Sequence, residues 1–183
     1  MFNERKLSTF MCKILRHEPK KFGLEVDEYG FCSIDELVNS INQQKQWSGI
    51  TREDILYIVQ ECKKQRYEVE EEKIRTRYGH SYRVRHKESK RELPSILYHG
   101  TNKESLFFII NEKKGLLPMQ RDSVHLSETR DFANLAAKRR KEPRMLKVSV
   151  EEALNLGVEF KYVGNEVWLS TPIPVSCLEE IKF

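Results

Sequence analysis

The chain has 183 residues, of which 39% are hydrophobic and 33% are charged, and its formal net charge at pH 7 is +4. The hydrophobic content is enough for a folded core, which excludes a disordered chain, and no apolar run is long enough to span a membrane. The small basic excess is compatible with a polyanionic partner without requiring one. The N-terminus shows no hydrophobic targeting segment, so we expect a protein of the cytosol, or of the nucleus in a nucleated cell.

The four cysteines, Cys12, Cys32, Cys62 and Cys177, are far apart in the chain and form no C-x-x-C pair. Cys12 and Cys62 lie on or beside apolar helical faces. We therefore expect reduced, buried thiols and no metal site.

The first predicted helix covers residues 8–15, with Ser8 as its N-cap and an apolar face. Pro19 is expected to end it, because proline disfavours helical geometry in the residue before it. Arg16 and His17 then lie at the end of the helix. A neighbouring guanidinium and imidazole suit a phosphate dianion, but the simpler interpretation is that they complement the helix dipole.

Two more helices are predicted in this half of the chain. Residues 22–32 alternate like a strand, with glycines at the turns. Ser33 and Glu36 then have the spacing of a capping box and predict the start of the second helix. The third helix is predicted from Thr51 to about Lys63.

After the third helix, the hydrophobic pattern changes from the period of a helix to a period of two residues. Residues 66–70 and 73–77 alternate as a β-hairpin, and residues 82–84 predict a further short strand. Helices followed by a hairpin favour a winged-helix lobe over residues 1–84, a fold that often binds nucleic acid.

Polar side chains cluster at two places in this lobe. Lys63, Lys64 and Arg66 surround the junction between the third helix and the hairpin, where they either bind an anion or complement the helix dipole. Residues 79–81 (Gly-His-Ser) end the hairpin. A turn that contains a hydrogen-bonded histidine is the simpler interpretation of that segment.

A polar segment, residues 85–95, separates this lobe from a second lobe over residues 96–183. The second lobe begins with a buried strand over residues 96–101, a helix over residues 104–111 and a strand over residues 124–127. The strand ends carry histidines beside hydroxyl residues, but no acidic or cysteine residue has the spacing of a metal ligand.

A helix that starts at residue 129 or 130 ends in four consecutive cations, residues 138–141, which is more positive charge than one helix dipole requires. The remaining predicted elements are a short helix at about residues 151–156 and strands over residues 145–150, 158–163, 166–169 and 178–183. A mainly antiparallel sheet with few helices predicts an α+β fold. The sequence has no glycine-rich dinucleotide fingerprint and no phosphate loop.

Taken together and in order, these motifs make the chain resemble the RNA 2′-phosphotransferases, NAD-dependent enzymes that are also called tRNA 2′-phosphotransferases. The resemblance spans nearly the whole chain. The matching segments are residues 15–19, 27–30, 64–67, 74–75 with 79–81, 99–101, 115–116 with Met119 and Arg121, 124–127, Arg139 with Pro143, and Asn165 with 167–169.

The resemblance implies an N-terminal winged-helix RNA-binding lobe and a C-terminal NAD-binding lobe similar to ADP-ribosyltransferases. The implied substrates are NAD and an RNA with an internal 2′-phosphate, as at a tRNA splice junction. In the implied reaction the 2′-phosphate attacks the anomeric ribose carbon of NAD and expels nicotinamide. The 2″-hydroxyl of ADP-ribose then attacks the phosphate, which leaves 2′-hydroxyl RNA and ADP-ribose 1″,2″-cyclic phosphate.

The family's essential Arg-His-Arg-Arg tetrad maps onto Arg16, His17, Arg66 and Arg139. This mapping implies that Arg16 and Arg66 clamp the 2′-phosphate, that His17 donates to it, and that Arg139 holds the NAD diphosphate or the phosphate in transfer. The residues implied to line the NAD pocket are His99, Gly100, Thr101, Met119, Arg121, His125, Ser127 and Asn165. Those implied to contact RNA are Lys64, Arg75, His80 and Ser81.

The chain departs from the family's usual residues at four places. Tyr78 stands where the family usually has Gln, Ser123 replaces a common His, residues 136–137 (Ala-Ala) replace Val-Gly, and Lys141 replaces Gly. None of these changes removes a tetrad residue. They bear on NAD affinity and on the backbone near Arg139.

Two alternative functions are left open by the residues. A mono-ADP-ribosyltransferase would stop after the first transfer to a nucleic-acid phosphate. The second step needs a phosphate clamp, so the presence of Arg16, His17 and Arg66 argues against this alternative. A winged-helix binding module without catalysis would not need the motifs of the second lobe. We expect a monomer that binds RNA and NAD, with no metal and no membrane partner.

Overall fold

The computed structural model describes residues 2–182. They form two compact units that divide between His86 and Lys87, inside the polar segment of residues 85–95. Within the described residues, no helix is long and apolar enough to cross a membrane. The four cysteines are free thiols, with Cys32 and Cys177 buried and the other two partly buried.

The first unit combines three helices with a small antiparallel sheet. Its elements in chain order are α1 (Glu4–His17), β1 (Cys32–Ser33), α2 (Ile34–Asn42), α3 (Arg52–Gln60), β2 (Tyr67–Glu70) and β3 (Lys73–Thr76). The strands lie in the order β1-β3-β2. The buried faces of the helices and Ile74 of β3 pack into one hydrophobic core.

Helix α1 starts at Glu4 instead of at residue 8, because Asn3 caps it and not Ser8. The Asn3 side chain accepts a hydrogen bond from the backbone N–H of Lys6 at 2.9 Å. The helix ends at His17, which confirms the effect predicted for Pro19.

The strand predicted over residues 22–32 is wrong. Lys20–Phe22 form a 3-10 turn, and only Cys32–Ser33 pair with the sheet. The Asp27 carboxylate accepts the backbone N–H groups of Tyr29 and Phe31, each at 3.0 Å, and so forms a local turn. Helix α3 also ends at Gln60, before Lys63, and residues 82–84 form no strand.

The second unit is built on a larger antiparallel sheet. Its elements in chain order are β4 (Ile96–Asn102), α4 (Lys103–Leu106), β5 (Val124–Ser127), α5 (Arg130–Ala137), β6 (Pro143–Ser149), α6 (Val150–Asn155), β7 (Phe160–Tyr162), β8 (Val167–Ser170) and β9 (Leu178–Ile181). The strands lie in the order β7-β8-β5-β4-β6-β9. Helix α4 continues as a π-helical turn over Phe107–Asn111. Phe183, predicted in the last strand, lies outside the described residues.

Helix α5 packs directly on β4 at Gly100. A Cβ atom at this glycine would lie 2.4 Å from the carbonyl oxygen of Ala133 and 2.9 Å from the Cβ of Ala137. The close approach therefore needs glycine on the strand and alanine on the helix. It sets the position of the helix end that carries residues 138–141. Helices and antiparallel sheets in both units confirm the predicted α+β class.

Candidate functional sites

Arg16, in the last turn of α1, is held by the segment that follows the β2–β3 hairpin. Its Cζ lies 5.3 Å from the centroid of the Tyr78 ring. Gly79, with φ at +92°, passes so close that a Cβ there would lie 3.3 Å from Cζ and Nε of the arginine. Nε and Nη2 of Arg16 are buried and have no acceptor among residues 2–182. Buried donors without an acceptor are costly, so this guanidinium is suited to an anion that a ligand supplies.

The C-terminal end of α1 is fixed by hydrogen bonds from residues after the hairpin. The Arg16 carbonyl accepts the backbone N–H of Ser81 at 2.9 Å and its hydroxyl at 3.3 Å. The Tyr82 hydroxyl donates to the Leu15 carbonyl at 2.6 Å. These donors satisfy carbonyls that a helix end leaves without intrahelical partners. The helix end that carries Arg16 and His17 is therefore held in one place.

The charge of Arg66 acts on the same tyrosine as that of Arg16. Burial raises the pKa of the Tyr78 phenol, and the positive charges of Arg16 and Arg66 oppose that rise. Arg66 Nη1 donates a long hydrogen bond, 3.6 Å, to Cys62 Sγ. Within residues 2–182, no carboxylate forms a salt bridge with either arginine. The charges of both arginines thus act on Tyr78, and His17 lies exposed beside Arg16.

His80 is buried in the turn, as the simpler interpretation of residues 79–81 predicts. Its side chain is 0% exposed, and Nε2 lies 3.0 Å from the Thr76 hydroxyl. Burial, assisted by the nearby charge of Arg16, lowers its pKa to about 3, so the ring is neutral. A side chain with no exposed surface cannot contact RNA in this conformation. His80 therefore supports the turn from inside the unit.

The nitrogens of Arg75, another predicted RNA contact, already have partners within the unit. Nε and Nη2 donate to Glu68 Oε2 at 2.8 and 2.6 Å, and Nη1 donates to the Tyr29 carbonyl at 2.8 Å. Its Cζ lies 4.5 Å from the centroid of the Phe31 ring, and the residue is 6% exposed. Of the four predicted RNA contacts, only Lys64 and Ser81 keep exposed or half-buried side chains.

In the second unit, two histidines are held in opposite tautomers. His99 Nδ1 lies 2.8 Å from the carbonyl oxygen of His125 and must carry the proton, since a carbonyl only accepts. Burial, together with Arg140 and Arg121, lowers the pKa of His99, which leaves it neutral with Nε2 as an acceptor. Arg121 Nη1 lies 2.9 Å from His125 Nδ1, which must therefore accept, so that Nε2 of His125 is a donor.

The other residues predicted to bind NAD are more dispersed. Thr101 is 1% exposed in β4, beside Gly100, whereas Met119 is 84% exposed. Ser127 ends β5, and Asn165, with φ at +49°, lies in the turn between β7 and β8. The Glu128 backbone N–H donates to the Glu166 carbonyl at 2.9 Å, which ties this turn to the end of β5.

Arg139 lies immediately after α5, within the four cations of residues 138–141, all of which are exposed. Within residues 2–182, no carboxylate forms a salt bridge with Arg139. Its positive charge is therefore available to an anionic ligand.

Sequence reasoning missed Glu128 as a central residue of the second unit. Its carboxylate accepts from Arg91 Nε and Nη2 at 3.0 and 2.6 Å and from the Trp168 indole at 2.9 Å. These hydrogen bonds, mainly the one from Arg91, lower its pKa. The partners are 37 and 40 residues away in the chain, so local sequence carries no signal of the cluster.

Comparison with known proteins gives consistent matches over almost the whole chain. The family model described as "RNA 2'-phosphotransferase, Tpt1 / KptA family" matches residues 3–172. A protein of Pyrococcus horikoshii named "Probable RNA 2'-phosphotransferase" is 42% identical over 179 residues, which cover 96% of this chain and 98% of that protein. Proteins with the same name from Bacillus thuringiensis and Acetivibrio thermocellus are 39% and 37% identical and cover 94% and 92% of this chain, with 95% and 92% of their own lengths matched.

Proposed function

Because the chain belongs to the RNA 2′-phosphotransferase family and is a transferase, we propose that it removes an internal 2′-phosphate from RNA in an NAD-dependent reaction. The products would be 2′-hydroxyl RNA, nicotinamide and ADP-ribose 1″,2″-cyclic phosphate. The observation that carries the proposal is the pair of arginines, Arg16 and Arg66, whose charges both act on Tyr78 and which form no salt bridge with a carboxylate of residues 2–182. In our proposal this pair and His17 bind the 2′-phosphate.

The phosphate role follows from the charge and geometry of this pair. A phosphate dianion needs several fixed positive charges, and planar guanidinium groups present parallel N–H donors to it. A carboxylate beside them would repel the substrate. The buried Nε and Nη2 of Arg16 gain an acceptor only when an anion binds, so part of the cost of burying them is recovered on binding.

The donor set of the second unit supports NAD as the co-substrate. Bound NAD would supply an anomeric ribose carbon activated by the positive charge of nicotinamide, which leaves as a neutral molecule. The acceptor Nε2 of His99 and the donor Nε2 of His125 would distinguish hydroxyl and amide groups of the nucleotide. Arg139 would hold the diphosphate, because its charge is not neutralised by a neighbour within residues 2–182.

The fold of each unit supports its proposed role. Three helices and the β1-β3-β2 sheet have the element order expected for a winged-helix RNA-binding lobe. The antiparallel sheet of the second unit, without a parallel dinucleotide-binding sheet among residues 87–182, is compatible with an ADP-ribosyltransferase-like lobe. A monomer acting in the cytosol remains a prediction.

The test is the conversion of a short RNA that carries one internal 2′-phosphate, with and without NAD, followed by gel electrophoresis and mass spectrometry. We expect NAD-dependent formation of 2′-hydroxyl RNA and the cyclic phosphate. Arg16→Ala and Arg66→Ala should each lower kcat by about a hundredfold, since removing one preorganised transition-state contact costs about 3 kcal/mol. Arg83→Ala, a change of an exposed arginine in the same unit, is the matched control and should retain activity.

The same reaction separates the alternatives. Accumulation of ADP-ribosylated RNA would mean that the enzyme is a mono-ADP-ribosyltransferase that stops after the first transfer. Unchanged RNA in the presence of NAD would overturn the proposal and favour a binding module without catalysis.

A further inference from the structure

The first unit carries a second basic region outside the residues discussed above. A groove of about 1140 Å³, here named the α1 groove, is lined by residues of α1 and by residues 46–50. Arg5, Lys6 and Lys13 supply its positive charge, and no acidic residue lines it. The Lys13 ammonium lies 3.3 Å from the Glu18 carboxylate, which reduces its charge. Arg5 and Lys6 are exposed, and neither forms a salt bridge with a carboxylate of residues 2–182.

Aromatic rings lie beside these cations in the α1 groove. Phe10 and Trp47 both line it and stack on each other, with ring centroids 5.9 Å apart and an interplanar angle of 25°. Phe10 is only partly buried, and Phe22 packs edge-on against it at 5.5 Å. A fixed and partly exposed ring between cations provides a surface on which any nucleobase can stack.

Trp47 gives an independent indication of a ligand. The residue is 8% exposed, and its indole Nε1 is buried without an acceptor among residues 2–182. A buried N–H without an acceptor is rare in folded proteins, and each one needs an explanation, such as a water or an ion that satisfies it. Phosphate oxygens and base carbonyls are acceptors of the required kind.

The wall of the groove opposite α1 is held in place. The Asn42 side chain donates to the Ile50 carbonyl at 2.7 Å and accepts its backbone N–H at 2.9 Å. The backbone N–H of Trp47 donates to the Gln44 carbonyl at 2.8 Å. The two ends of the loop are therefore clamped, and a ligand would not have to order it on binding.

Helix α1 carries both the residues that line the α1 groove and, at its C-terminal end, Arg16 and His17. Lys6 and Lys13 are seven residues apart, and Lys13 and His17 are four apart, so all three lie on one face of α1. At 1.5 Å per residue, Lys6 and Arg16 are separated by about 15 Å along the helix. A strand whose 2′-phosphate is bound at Arg16 would therefore reach the groove within a few nucleotides.

We propose that the α1 groove binds the single-stranded RNA that flanks the 2′-phosphate, through phosphate contacts to Arg5 and Lys6 and base stacking on Phe10. The proposal rests on the function proposed above, because it takes Arg16 as the site of the 2′-phosphate. Cations combined with ring faces favour binding that tolerates many sequences. The groove therefore selects substrates by the length of the strand next to the modified nucleotide.

The test compares two RNAs that each carry one internal 2′-phosphate, a trinucleotide and an oligonucleotide of about ten nucleotides. For the native protein we expect a higher kcat/KM with the longer RNA. In the double variant Arg5→Ala/Lys6→Ala, the ratio of kcat/KM for the longer RNA to that for the trinucleotide should fall by about tenfold. The control Lys20→Ala/Arg83→Ala, which removes two exposed cations outside the groove, should leave the ratio unchanged.

A binding titration keeps this proposal separate from the proposed function. An unphosphorylated RNA of the longer length is titrated by fluorescence anisotropy at several salt concentrations. The groove variant should lower the slope of log K against log salt by about 1.4, at about 0.7 for each lost phosphate contact. This readout needs no catalysis, so it tests the groove even if NAD-dependent conversion fails.

Three results would overturn the proposal. The first is an equal loss of RNA affinity in the groove variant and the control variant, because RNA affinity would then depend only on the overall charge of the protein. The second is an unchanged salt slope in the groove variant. The third is a loss of affinity for an oligoglutamate peptide with RNA affinity retained, because the groove would then bind an acidic protein segment.

Discussion

The guanidinium of Arg16 lies over the ring of Tyr78, with Cζ 5.3 Å from the ring centroid. The ring attracts the cation and also limits the rotamers that it can adopt. Arg66 adds a second positive charge that acts on the same phenol. Tyr78 therefore holds a cation that we propose binds the 2′-phosphate.

Replacing Tyr78 tests this positioning role. Tyr78→Ala should lower kcat/KM by about tenfold, because a cation–π contact of about 1 kcal/mol is lost and the guanidinium gains freedom. Tyr78→Phe keeps the ring face and is the matched control, so it should retain most of the activity. Steady-state kinetics with a 2′-phosphorylated RNA measures both. An equal loss in the two variants would instead assign the effect to the phenol hydroxyl.

Substitutions at Gly79 and Gly23 distinguish the effect of backbone strain from the effect of a displaced Arg16 side chain. Gly79→Ala should cost about 1–2 kcal/mol of stability, because φ is +92°, and its new methyl group should also displace the Arg16 side chain 3.3 Å away. Gly23→Ala carries a similar strain at φ +70°, but nothing lies within 4 Å of its added Cβ. We expect comparable losses of thermal stability, with kcat/KM reduced only in Gly79→Ala. Unimpaired activity of Gly79→Ala would contradict this geometry.

In the second unit, Gly100 fixes the distance between β4 and α5. Gly100→Ala should destabilise the protein by about 3 kcal/mol, because its methyl group would lie 2.4 Å from the Ala133 carbonyl oxygen and the helix must move. Gly157→Ala, at φ +80° with nothing within 4 Å, should cost only about 1 kcal/mol. Denaturant unfolding measures both variants. Equal losses would show that the contact between β4 and α5 tolerates a methyl group at Gly100.

The stability of the first unit should decrease as the pH falls, because of His80. The folded protein holds the pKa of this histidine at about 3, against 6.5 for the ordinary side chain. Between these values the unfolded chain binds a proton that the folded chain does not, so the free energy of unfolding falls with falling pH by up to about 1.4 kcal/mol per pH unit.

His80→Gln isolates this contribution, since glutamine does not titrate. Urea unfolding at pH 7 and pH 5 should show a loss of about 2 kcal/mol in the native protein that the variant lacks. Identical pH dependence in the two proteins would mean that His80 is protonated at little cost in the folded state.

Local sequence determined the elements and many of their boundaries. Ser33 and Thr51 each cap a helix by accepting the backbone N–H of the residue three positions later. The spacing of Ser33 and Glu36 predicts the first of these caps. Two-residue alternation predicts β2 and β3 correctly, because it depends only on the period of the backbone. Residues 22–32 show the limit of this reasoning, since the Asp27 turn satisfies the backbone locally and competes with strand pairing.

The family also followed from the sequence, because the motifs are ordered along the chain. The tetrad assigned to Arg16, His17, Arg66 and Arg139 stays a prediction. The partners of each polar side chain were decided only by the tertiary structure. Arg75 and Arg16 belong to the same unit, yet Arg75 is paired with Glu68 while Arg16 keeps two donors without an acceptor among the described residues. His80 is buried and His99 is partly buried, but only the packing around each defines its partner. The physical reason is that desolvation and hydrogen bonding depend on groups that are distant in the chain, whereas periodicity and capping depend on neighbours.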